Sequence, residues 1–123
     1  MNYMELIGEI DEYEISFEEL ARLADGTDLT DFINKLSLEI ARRFIRGELD
    51  YEVADGAMNY VFDFMTDNIF LTSSGNYIPS PALDIYEAFD AGEYRHSKDD
   101  DSVCPIEKYT KPFLMEVFKT YGN

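Results

Sequence analysis

The chain has little of what enzymes ordinarily use for nucleophilic or acid–base work. Its 123 residues include one cysteine, Cys104, one histidine, His96, and no tryptophan. A lone thiol cannot close an internal disulfide, so stability must come from a packed core, as expected in a reducing compartment. There is no phosphate-cradling glycine loop, no Gly-x-Ser-x-Gly elbow and no His-Glu-x-x-His pair. Nowhere do roughly 18 apolar residues occur together, which excludes an ordinary spanning helix. The opening MNYMELIGEIDE places no basic residue before an apolar run, unlike a secretory signal, so a cytoplasmic location is expected. Positive charge is also scarce: ten Lys and Arg stand against 26 Asp and Glu, a net charge of −16. Direct binding of DNA, RNA or an anionic membrane is disfavoured, because each needs a basic footprint that displaces counterions. A cationic partner is favoured instead.

What is present is a strong apolar pattern. Hydrophobic residues make up 46% of the chain and aromatics 15%, with nine Tyr and nine Phe, too apolar for a disordered polymer. A chain of this length buries roughly 65% of its unfolded surface, enough for one domain spanning residues 1–123. The apolar residues recur at helical spacing with no long alternation of period two, predicting an all-α fold, a single compact bundle of about five to six helices.

Tyr3, Leu6, Ile7 and Ile10 share a first helical face, and Ser16 to Glu19 has the form of a capping box opening a second helix that closes near Gly26. Asp28 or Thr30 caps a long third helix with Leu29, Ile33, Leu36, Ile40 and Phe44 inward. Arg42, Arg43 and Arg46 lie in its last turns, where they suit the helix dipole. Asp50 is expected to cap a fourth helix whose inward residues run Ala54, Ala57, Met58, Val61, Phe62, Met65 and Ile69, with Gly56 permitting a close neighbour. TSSGNYIPS, residues 72–80, reads as a loop. Ser80 and Pro81 then read as the cap and first turn of a helix carrying Leu83, Tyr86 and Phe89 and ending at Gly92. Pro112 is expected to begin a final helix with Phe113, Leu114, Val117, Phe118 and Tyr121 inward.

Between these last two helices lies AFDAGEYRHSKDDDSVCPIEKYTKP, residues 88–112. Glu93 and His96 have the Glu-x-x-His spacing of carboxylate-bridged metal bundles, but only one copy exists, and it follows Gly92, where a helix should have ended. Asp99, Asp100 and Asp101 lack the alternation and sixth-position glycine of a calcium loop. Acidic neighbours would raise a Cys104 thiol pKa rather than activate it against His96. The stretch therefore reads as a connector, with no metal, cofactor or catalytic residue expected.

The acids of the N-terminal third are more informative. Glu5, Glu9, Asp11, Glu12, Glu14, Glu18, Glu19, Asp25, Asp28 and Asp31 face a single base, Arg22, before residue 35. Like charges one helical turn apart destabilise a helix by roughly 0.2–0.5 kcal/mol a pair, so folding does not ask for them. They are read as a surface steering a basic protein partner, with Tyr3 and Tyr13 nearby as anchors and Asp99, Asp100 and Asp101 at the rim. The competing explanation is general solubility or adaptation to salt.

A small, acidic, helical chain of this kind resembles the immunity proteins that bacteria make against their own nuclease toxins in contact-dependent inhibition and colicin systems. AFDAGEYRH (88–96) and EKYTKP (107–112) also look like recurring pieces of small bacterial proteins without assigned activity. The resemblance is one of size, charge and helicity, and it brings no residue with an assigned role. It implies a non-enzymatic cytoplasmic inhibitor whose partner is a basic nuclease domain. Two other classes fit the composition: a DNA mimic that titrates a nucleic-acid-binding protein, and a small carboxylate metalloenzyme built on Glu93 and His96.

Overall fold

Each of the first five helices opens on a side chain that accepts the otherwise unpaired amides of a first turn. The computed structural model describes residues 1–122. Asn2 caps α1 (Tyr3–Asp11) through the Glu5 amide at 3.1 Å, and Ser16 caps α2 (Phe17–Leu23) through the Glu19 amide at 3.2 Å. The Ser16 hydroxyl in turn donates to the Glu19 carboxylate at 3.1 Å, pairing the two residues in both directions as the box pattern predicts. Asp28, and not Thr30, caps α3 (Leu29–Ile45), accepting from the Thr30 amide at 2.7 Å. Asp50 caps α4 (Tyr51–Met65) through the Val53 amide at 2.9 Å. Asp67 caps α5 (Asn68–Ser74) through the Ile69 amide at 3.0 Å.

That last cap corrects the expected fourth helix. The apolar spacing runs on to Ile69, but the chain breaks after Met65. The Thr66 hydroxyl bonds back to the Phe62 carbonyl at 3.0 Å, and Asp67 caps a new helix. Phe70, rather than Ile69, is the residue of α5 that is fully buried. The first three residues of the expected loop, Thr72 to Ser74, belong to α5, which ends at Gly75 in the left-handed conformation (φ 70°).

After α6 (Ala82–Asp90) and an irregular stretch, a single π-helical turn (Ile106–Thr110) runs directly into α7 (Lys111–Tyr121). Seven α-helices thus replace the expected five or six, and among the described residues there is no strand. Ser80 does not cap α6: the Ala82 amide is taken by the Asn34 side chain of α3 at 3.0 Å. Pro112 lies in the first turn of α7, as expected, and the π-turn supplies the helical residues that precede it. Phe113 and Tyr121, expected inward, are exposed, whereas Leu114, Val117 and Phe118 are buried.

One hydrophobic cluster joins all seven helices. Central α4 packs on α1, α3, α5 and α6, with Tyr60, Val61, Phe64 and Met65 enclosed. Gly56 admits α1 closely, since a Cβ there would meet the Asp11 carboxylate. No helix among the described residues is long and apolar enough to cross a membrane.

Candidate functional site

The cations of this protein are largely used internally, and the acids are not. Seven of the ten Lys and Arg form ion pairs: Arg42 and Arg43 with Glu39 at 3.2 and 2.8 Å, Arg43 and Arg46 with Glu48, Arg95 with Asp101, Lys108 with Asp99, Lys111 with Glu107, and Lys119 with Glu116. Every one of these pairs lies in the second half of α3 and the segment just after it, or beyond residue 94. Arg42, Arg43 and Arg46 thus share two carboxylates, Glu39 and Glu48, which offset most of their charge. Among the described residues, none of the ten acids from Glu5 to Asp31 has an ion-pair partner.

Those ten acids fall on α1, α2, the intervening turns and the start of α3. Glu5, Glu12, Glu14, Glu18, Glu19, Asp25, Asp28 and Asp31 are exposed, and Glu9 is half-buried. Asp28 and Glu19 serve helix caps while keeping their charge outward. Asp11 is turned toward Gly56 of α4, and burial, then the charges of Glu12 and Asp50, raise its pKa. Tyr13 stands between Glu12 and Glu14 with φ +55°, a left-handed conformation that side-chain-bearing residues avoid. Its ring is edge-on to Tyr60 at 4.9 Å and its hydroxyl donates to Asp63 at 2.5 Å, yet it stays 52% exposed. It is thus an aromatic held by two contacts, with half of its surface exposed among acids.

A second acidic group joins residues far apart in sequence. Asp55 of α4 lies beside Glu93 and Asp90 at the end of α6, and its Oδ1 is buried with no hydrogen-bond partner. Burial, with the neighbouring Glu93 and Asp90 charges, pushes its pKa up to about 7. The Tyr51 hydroxyl donates to the Phe89 carbonyl, and burial together with the same three acids raises the phenol as well. Tyr86, stacked on Phe62 at 4.2 Å, is raised by burial and then by Asp90, Glu93, Asp63 and Asp55. Gly92 lets the backbone approach this region: a Cβ there would run into the Thr110 hydroxyl and the Tyr51 ring. The available signal was Asp55 itself, a poor helix former placed between Ala54 and Ala57.

The three aspartates of the connector are occupied. Asp99 accepts from the Lys108 ammonium and from the Tyr109 hydroxyl at 2.6 Å, leaving its side chain only 5% exposed. The Lys108 bond, ahead of that from Tyr109, holds its pKa below the usual carboxylate range. Asp100 accepts from the Ser102 hydroxyl and amide, which lower its pKa, and Asp101 pairs with Arg95. His96 bonds the Ala91 carbonyl at 2.8 Å, and its ring lies between Tyr94 and Tyr109 at 4.9 and 3.9 Å. Glu93 meanwhile adjoins Asp55, so the Glu-x-x-His pair is not aimed at a common ion. Among the described residues, no three His, Cys, Asp or Glu side chains are arranged to hold a metal. Cys104 is exposed, and no bond joins it to His96.

The chain matches no protein-family model, no curated protein and no solved structure. Its chemistry must speak for it.

Proposed function

We propose that this protein is a non-enzymatic, acidic binding protein that captures and neutralises a basic protein. In its finer form the reading is that of an immunity protein acting on a bacterial nuclease toxin. One observation carries it: cations paired within the chain beside a run of ten unpaired acids, Glu5 to Asp31. Acids that served only solubility would be spread over the chain, whereas ten of the 26 are gathered before residue 35 with Arg22 as the single base among them. Carboxylates presented this way occupy the basic groove in which a nuclease would hold phosphates, and inhibition is then steric and electrostatic.

The half-exposed Tyr13, held in place by Asp63 and Tyr60, supports a contact with a centre as well as a field. Long-range charge would speed encounter, and desolvated aromatic contacts would slow release.

The test is co-expression with the product of the neighbouring reading frame, followed by nuclease assay with and without this protein. A basic product that is bound tightly and loses its activity on DNA or RNA supports the reading. A neighbour that is not basic, or one that is basic but neither bound nor inhibited, counts against it.

A further inference from the structure

We propose that the groove between α6 and α7 receives an amphipathic, arginine-bearing segment of the basic partner. The inference rests on the reading above and adds a second contact, away from the acids of α1 to α3. The groove has a volume of about 360 Å³. Ala88 and Val117 form its buried floor, and Phe113 and Tyr121 stand on its wall, 48% and 43% exposed. Phe113, Val117 and Tyr121 recur every four residues along α7, an apolar stripe roughly 12 Å long at the rise of an α-helix. Folding buries Val117 but leaves the Phe113 and Tyr121 rings half-exposed, although burying both would be favourable.

The rim decides what covers it. Asp84 and Glu87 of α6 face the groove from one side, and Glu116 of α7 lines it as well. Glu116 is tied only to Lys119, at 3.2 Å, with the two side chains 72% and 73% exposed. So open a pair contributes little and is readily exchanged. An apolar floor under three carboxylates matches an arginine better than any other side chain. Its weakly hydrated guanidinium stacks on aromatic rings and forks onto carboxylates, and leucine-like neighbours fill the floor. A second copy of this chain is disfavoured, because two bodies of net charge −16 repel. Nucleic acid and anionic lipid are disfavoured by the same three acids.

The experiment is a titration of the ¹⁵N-labelled full chain at low salt, followed by amide chemical shifts. Three probes are used: a helical peptide of leucine and arginine, the same peptide with glutamate for arginine, and an equally charged peptide of lysine, glycine and serine. The leucine–arginine peptide should move the amides of residues 84–88 and 113–121, and the other two should not. Phe113→Ser combined with Tyr121→Ser should weaken its binding by about tenfold or more, as should Glu87→Lys, with circular dichroism unchanged because these side chains are exposed.

Equal affinity in the double variant overturns the groove. So does saturation of the same amides by arginine amide alone, which would mark a small-cation site. If both cationic peptides shift only residues 5–31, the groove falls and the acidic binding reading stands. If neither cationic peptide binds at low salt, both fall.

Discussion

Asp55 is the residue at which the molecule's excess charge becomes a local cost. Its carboxylate must hold a negative charge half-buried beside Glu93 and Asp90, with one oxygen unpartnered. The folded state therefore keeps a proton on it up to about pH 7, and the unfolded chain releases that proton near the ordinary carboxylate value. A raised pKa of this kind contributes stability that is full below about pH 4 and lost as pH climbs through about 7. Asp55→Asn removes the charge, keeps the shape and offers Glu93 a donor. The variant should be more stable than the parent at about pH 8, by about 1 kcal/mol once solvent screening of a half-exposed group is allowed for. The gain should shrink toward zero near pH 4. Thermal melts across that range check it, and an equal loss of stability at both ends would refute the account. His96 and Cys104, in contrast, touch neither acidic group. Replacing both with alanine should leave partner binding within a few-fold, and abolished binding would return them to the site.

At the scale of elements, the docking of α7 onto α6 depends on one close approach. The Thr110 hydroxyl donates to the Ala88 carbonyl at 2.7 Å, and Gly92 makes room for it and for Tyr51. Gly92→Ala should cost about 1–3 kcal/mol in urea unfolding, since a buried threonine and a packed ring must shift. Gly8→Ala, inside α1 with open space around its Cβ position, should instead stabilise by about 0.5–1 kcal/mol. If Gly92→Ala is as stable as the parent or more so, the close approach at Gly92 is not a constraint. The same contrast shows why some elements were legible in sequence and others were not. The openings of α2 to α4 were readable because a cap acts on amides two or three residues away, as at Ser16, Asp28 and Asp50. The break between α4 and α5 was not, because the apolar period continues through Thr66 and Asp67 and only the Thr66 bond to Phe62 interrupts it. Phe113 and Tyr121 were misread as core because α7 is apolar over more of its circumference than its neighbours cover. The ten N-terminal acids were legible as a cluster. The Asp55–Glu93 contact, between residues 38 positions apart, was not, since only the packing of α4 on α6 creates it.

At the scale of the whole molecule, the same charge should make salt act in opposite directions on folding and on binding. Repulsion among 26 acids opposed by ten bases is relieved by screening, so the melting temperature should rise with moderate salt at neutral pH. A fall would mean that the ion pairs of α3 and the C-terminal segment outweigh the repulsion of the unpaired acids. Association with a basic partner should instead slow, because the Debye length contracts from about 30 Å at 0.01 M to about 8 Å at 0.15 M and the steering field contracts with it. Reversing Glu5, Glu9 and Glu12 to lysine isolates the contribution of α1. Its core residues Leu6, Ile7 and Ile10 are untouched, so the helical spectrum should persist. The association rate measured by stopped flow at low salt should drop by about tenfold or more, with the dissociation rate changing less, since steering acts before contact. An association rate equal to the parent's at low salt would place α1 outside the steering surface and move attention to the acids of α2 and the start of α3. The connector is a poor substitute, because Asp99 and Asp101 are already paired with Lys108 and Arg95, which leaves Asp100 as its one carboxylate without a cationic partner among the described residues.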